Sequence, residues 1–146
     1  SHKLRSAGED SSLFLLMLDA DNFKHINDRY GHMEGDSALI RIAETLRRTA
    51  PRNAFVGRYG GDEFVVIGNA ATPAQIRSLC QQIHLALQQA NADALVPYQL
   101  DVSIGCAIQH PGCVTIPDFI RAADADLYKT KREKKAALVS ALQAQS

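Results

Sequence analysis

Residues Arg58–Gly68 read RYGGDEFVVIG: two glycines, then two adjacent carboxylates, then a run of apolar residues. Gly60 and Gly61 predict a two-residue hairpin turn, because primed turns need the positive φ that glycine adopts freely. Phe64 to Ile67 predicts a strand in the core, and the AFVGR stretch just upstream predicts its partner. Asp62 and Glu63 are thereby placed at the tip of a hairpin, where two buried strands meet solvent.

Outward from this hairpin, LFLLML at residues 13–18 is apolar without alternation, which predicts a strand buried on both faces. It ends in Asp19-Ala20-Asp21. The following segment, NFKHINDRYGHMEGD, predicts a short helix broken by Gly31 and Gly35. Asp36 or Ser37 is expected to cap a longer helix to about Thr49, with Leu39, Ile42, Ala43 and Leu46 on its buried face. Thr72-Pro73 and Thr115-Ile116-Pro117-Asp118 read as helix starts. Between those helices, YQLDVSIGCAI reads as a strand. The tail REKKAALVSALQAQS fits either a helix extension or a short strand. The order is β-α-α-β-β-α-β-α, with no linker or repeat, so residues 1–146 are expected to form a single domain. The fold class is α+β, ferredoxin-like or palm-type: a mostly antiparallel five-stranded sheet with helices packed around it.

Composition limits the function. At 146 residues and 46% hydrophobic, the chain can bury a proper core. Lys+Arg and Asp+Glu are both 16, a balance that argues against a protein whose task is coating nucleic acid or an anionic membrane. The longest apolar run, Leu13–Leu18, is too short to span a bilayer. The three cysteines, Cys80, Cys106 and Cys113, form no CxxC pair; the odd count suits a reducing, cytoplasmic setting, and Cys80 and Cys106 read as small buried hydrophobes.

A lone acid at a strand end is commonplace. Asp19, Asp21, Asp62 and Glu63 together flank two core strands, and like charges in a partly dry site raise one another's pKa. A hard divalent cation resolves that conflict with oxygen ligands. The constellation points to phosphoryl transfer, with the metal shared between protein and nucleotide.

RYGGDEF, with DADNFKHINDRYGHMEGD upstream, resembles the GGDEF family, the diguanylate cyclase domains, over about Leu13–Lys135. The resemblance implies a palm-like domain that condenses two GTP into cyclic di-GMP and two pyrophosphates, at the interface of a transient homodimer. It implies Mg²⁺ or Mn²⁺ held by Asp19, Asp62 and the Ala20 carbonyl. Asp62 is implied as base for the ribose 3′-hydroxyl, and Glu63 completes the acidic edge. Backbone around Phe23 and Lys24 is implied to touch phosphates, with the Lys24 side chain offsetting transition-state charge. Asn27 and Asp36 are implied to read guanine, with His32 nearby, while Gly60 and Gly61 let the nucleotide approach the main chain. Lys131 is implied to reach the terminal phosphates. Lys135 stands where the family has Arg in a Gly-Arg-Asn context, and it supplies charge without a bidentate fork.

Physical chemistry agrees on guanine: its N1–H and N2–H donors match a carboxylate such as Asp36, and adenine has neither. The family's product-inhibition motif, Arg-x-x-Asp, falls by spacing on Pro51-Arg52-Asn53-Ala54, so no inhibitory product site is expected. The Asp-x-Leu-Thr stretch and helix that usually precede the first strand are also missing. The resemblance implies an upstream sensor in the full-length protein and a cytoplasmic domain, whether or not the whole is membrane-anchored. Direct contact with nucleic acid or membrane is not expected. Two readings stay open here: an active cyclase, and a catalytically silent GTP-binding module that regulates an attached domain.

Overall fold

The computed structural model describes residues 12–70 and 72–145. The stretch ahead of the first strand, where the family's opening helix is expected to be missing, lies outside them. The elements are β1 (Ser12–Ala20), α1 (Phe23–Tyr30), α2 (His32–Thr49), β2 (Phe55–Arg58), β3 (Glu63–Ala70), α3 (Pro73–Asp93), β4 (Val102–Ile108) and α4 (Ile116–Ala144). This is the α+β order expected from the sequence.

The sheet runs β2-β3-β1-β4 with every neighbouring pair antiparallel. β1 lies inside it and is buried from Phe14 to Ala20, which explains its unbroken apolar run. On one face, Phe14, Leu16, Leu18 and Phe64 pack with residues of α2 and α3 such as Ile42, Leu46 and Ile83. On the other, Leu15, Met17 and Val65 pack with Phe119, Ala123 and Leu127 of α4. Helices α3 and α4 start where Thr-Pro and Thr-Ile-Pro predict. Thr72 with Gln75 and Thr115 with Asp118 form capping boxes. Burial pushes the thiol of Cys80 up to about 11 and that of Cys106 up to about 12, as befits inert packing residues.

Three expectations are corrected. The sheet has four strands among the described residues, not five, because the tail continues α4 as helix. After Pro117 that segment contains no Gly or Pro and is rich in Ala, Leu, Lys and Gln, all strong helix formers. Second, α2 begins at His32, so Asp36 and Ser37 are interior residues rather than caps. Gly31, at φ 94°, makes the break, and Gly35 continues the helix. Gly35 is needed for closeness: a Cβ there would lie 1.8 Å from Asn27 Oδ1, so α1 and α2 approach each other through it. Third, the β2–β3 connection is not a primed two-residue turn, since neither Gly60 nor Gly61 has positive φ. The Tyr59 and Gly60 N–H groups both donate to the Glu63 carbonyl, at 2.9 and 3.4 Å, closing a wider loop.

Candidate functional site

The acids converge because β1 and β3 pair in a register that sets Asp19 opposite Glu63. The Ala20 N–H donates to the Asp62 carbonyl at 3.0 Å, which pins the hairpin tip to the end of β1. Asp19 is 8% exposed, an unusual burial for a carboxylate. That burial holds its carboxyl above the usual aspartate range; a hydrogen bond from Lys131 opposes the shift, and the charge of Asp62 adds to it. Glu63 is likewise raised, first by burial and then by Asp19, Asp124 and Asp62. Burial works against the charge of Lys131, but its contact with Asp19 outweighs this and raises its pKa.

Asp19 Oδ2 accepts from Lys131 Nζ. Asp19 Oδ1 is buried without a hydrogen-bond partner, a costly state for an anionic oxygen. A hard cation beside Asp19 and Asp62 would satisfy that oxygen and relieve the repulsion between the two acids, so this donor set fits Mg²⁺ or Mn²⁺. Among the described residues there is no group of three or more His, Cys, Asp or Glu side chains arranged to hold a metal. Mg²⁺ characteristically completes such a sparse protein set with water and substrate phosphate.

A groove of about 490 Å³ opens beside the acids. Phe23, Lys24, Asn27, His32, Asp36, Gly61 and Asp62 all line it, so residues from α1, α2 and the hairpin meet in one place. Asn22, at φ 58°, turns the chain from β1 into α1, a left-handed conformation that Asn tolerates better than most residues. Asn27 Oδ1 is buried in this region against Gly35, without a hydrogen-bond partner. Apart from its chain neighbours, no atom lies within 4 Å of a Cβ built on Gly61, so a ligand has room to approach the backbone there. Gly60 instead lies against Glu63, where a Cβ would come within 2.9 Å of Oε1. Lys24 is exposed and pairs with Asp28 at 3.1 Å.

Lys131 and Lys135 line a second cavity, of about 390 Å³, with Ala20, Asp21, Asn22, Ser103 and Lys134. The chain from Ala20 to Lys24 runs between the two cavities, its residues lining one or the other. Sequence reasoning gave no part to several neighbours. The Arg58 guanidinium donates to the Gly61 carbonyl and lines the groove. Lys134 Nζ donates to Asp21 Oδ2 at 2.6 Å, and Ser103 Oγ donates to Asp21 Oδ1 at 2.6 Å. Asp21 is thereby held by the protein itself. For Arg58 and Lys134 the only sequence signal is a charge next to a motif, which does not say what it touches, and Ser103 carries no signal at all.

An antiparallel α+β sheet with carboxylates at one strand end, beside a groove shared by two helices, has the architecture of a palm-type nucleotide domain. The family profile described as "Diguanylate cyclase, GGDEF domain" matches residues 1–137, and the chain belongs to this GGDEF family. It is 35% identical over 127 residues to diguanylate cyclase DgcM of Escherichia coli K12, covering 87% of this chain and 30% of that protein. The chain thus spans about a third of the length of the curated relatives it matches. Among solved structures, the GGDEF domain of TpbB (YfiN) from Pseudomonas aeruginosa superposes with a TM-score of 0.78 at 32% identity, covering 91% of this chain and 79% of that one. The GGDEF domain of DgcB from Caulobacter crescentus, solved in complex with c-di-GMP, gives a TM-score of 0.77 at 28% identity, covering 90% and 78%.

Proposed function

We propose that this domain is an active diguanylate cyclase, condensing two GTP molecules into cyclic di-GMP and two pyrophosphates across a transient pair of domains. The observation that carries this reading is the groove in which Asn27, with its buried unpartnered Oδ1, lies with Asp36 and Asp62. It combines groups suited to a guanine edge with a carboxylate suited to proton transfer.

In this reading Asn27 and Asp36 take the guanine, with His32 beside them. The N–H groups of Phe23 and Lys24, at the start of α1, bind phosphate oxygens. Lys24 exchanges Asp28 for the charge that builds up on the reacting phosphate. Lys131 and Lys135 take the terminal phosphates. Asp19, Asp62 and the Ala20 carbonyl would hold Mg²⁺ or Mn²⁺, which would neutralise the polyphosphate and polarise the reacting phosphorus–oxygen bonds. Asp62 accepts the proton of the ribose 3′-hydroxyl as that oxygen attacks the α-phosphorus of the GTP held by the partner domain. The bond from that phosphorus to pyrophosphate breaks, and the same step in the opposite sense closes the ring.

Pro51 and Ala54 offer neither donor nor acceptor side chains for a second cyclic di-GMP, and Arg52 stands exposed at the turn. The domain accordingly works without feedback from that surface. Within a longer protein it serves as the cytoplasmic output of a sensor. Among the described residues no helix is long and apolar enough to cross a membrane.

Asp62→Asn tests the assignment. It keeps size and removes both the proton acceptor and the charge offered to the metal, so formation of cyclic di-GMP falls by at least about a hundredfold while the fold persists. Undiminished turnover in a folded Asp62→Asn domain would overturn it. GTP binding without product in the parent would favour the silent regulatory module.

A further inference from the structure

β4 is an open edge of the sheet, and edge strands present backbone groups that need partners. Here three of those groups are met by side chains of α4. Asp126 Oδ2 accepts from the Cys106 N–H at 2.8 Å. Thr130 Oγ1 donates to the Ile104 carbonyl at 3.1 Å. Lys134 Nζ donates to the Val102 carbonyl at 2.9 Å. Four helical residues climb about 6.0 Å and two strand residues about 6.6 Å, so three rungs stay in step along antiparallel elements. Helix and strand also meet backbone to backbone: a Cβ on Gly105 would lie 2.1 Å from the Ala123 carbonyl oxygen and 2.3 Å from the Leu127 nitrogen.

Gly105 thus fixes how close α4 comes, and the rungs fix its register. Lys131 directly follows the middle rung, Thr130, and it is Lys131 that donates to Asp19. A slip of one residue would turn Lys131 about 100° around the helix axis, away from that carboxylate.

We propose that Asp126, Thr130 and Lys134 are positioning residues, a side-chain ladder on the β4 edge that sets the register of α4 and so delivers Lys131 to Asp19 and to the nucleotide phosphates. The proposal rests on the phosphate-binding role given to Lys131 above. A ladder that only covers the sheet edge would add stability without acting through Lys131, and the two cases separate experimentally.

The experiment is a double-mutant cycle of Thr130→Val and Lys131→Met, read in GTP affinity and in kcat/KM per folded molecule. Thr130→Val keeps the shape of the side chain and removes the donor; Thr130→Ser restores the donor. In the parent, Thr130→Val lowers both readouts by about tenfold, and Thr130→Ser returns them to within about threefold. In the Lys131→Met background, Thr130→Val changes either readout by less than about twofold. Equal losses in both backgrounds, or no loss in the parent, would overturn the proposal. Hydrogen exchange follows the first rung without reference to activity: Asp126→Ala speeds exchange of the Cys106 amide and Asp126→Asn restores its protection, and an unchanged rate would contradict the ladder. A parent that binds GTP but makes no cyclic di-GMP defeats the cyclase reading alone, because the cycle is still read in affinity. A parent that does not bind GTP overturns both.

Discussion

Asn27 and Asp36 reach one groove from two helices, and the proposed function gives both the task of telling guanine from adenine. A hydrogen bond to a charged group contributes about 1.5–3 kcal/mol. Asp36→Ala is therefore expected to weaken GTP binding by about that amount and to leave ATP binding nearly unchanged, as a paired calorimetric titration would show. Equal losses for both nucleotides would mean the groove itself had been damaged. Glu63 makes a second prediction, through pH. Its pKa stands above the ordinary glutamate value of 4.5. Between the unfolded and folded values the folded state holds a proton that the unfolded state has released, so this residue lowers stability as pH rises through that window. Glu63→Gln removes the effect. Its denaturation midpoint, relative to the parent, should climb as pH rises above 4.5 and level off once the parent's Glu63 is fully ionised. A difference that shrinks with rising pH would contradict the assignment. At this scale the residue types of the groove were legible in the sequence. The parts played by Arg58, Ser103 and Lys134 were not, because each depends on a partner that only the folded chain brings near.

Elements were legible where local chemistry decides them. The Thr-Pro start of α3 and the Thr-Ile-Pro start of α4 are built from neighbouring residues, and both appear as capping boxes. β1 was legible because a strand buried on both faces cannot alternate. The glycines misled where their reason is tertiary. Gly35 reads as a breaker, yet it lets α1 approach α2; Gly60 reads as a primed-turn residue, yet its constraint is the Glu63 side chain. The tail was ambiguous because no cap or breaker marks where α4 stops, and the β4 edge that a further strand would have paired is occupied by α4 side chains. Gly105 supplies the prediction at this scale. A methyl group there must push α4 off the sheet, and overpacking of this kind costs about 1–3 kcal/mol. Gly105→Ala should lower the melting temperature and weaken GTP binding in parallel. Unchanged stability would mean that the helix does not rest on that strand as described.

The whole molecule joins two cavities across the end of β1, one lined by α1, α2 and the hairpin, the other by α4. The α+β plan and the family were readable from two motifs and the order of elements. That the described residues form four strands was not, since the number of strands depends on what meets the last edge. The acids meet at one edge beside one of the grooves among the described residues, whereas the proposed reaction needs two GTP molecules facing each other. The rate per domain must then rise with domain concentration until pairing saturates. The most direct test incubates the domain with GTP and Mg²⁺ at a series of protein concentrations, following cyclic di-GMP by mass spectrometry and pyrophosphate by phosphate assay after pyrophosphatase. The expected result is two pyrophosphates for each cyclic di-GMP and a specific rate that climbs with domain concentration. Bound GTP that yields neither product at any concentration, or pyrophosphate released without cyclic di-GMP, would contradict it.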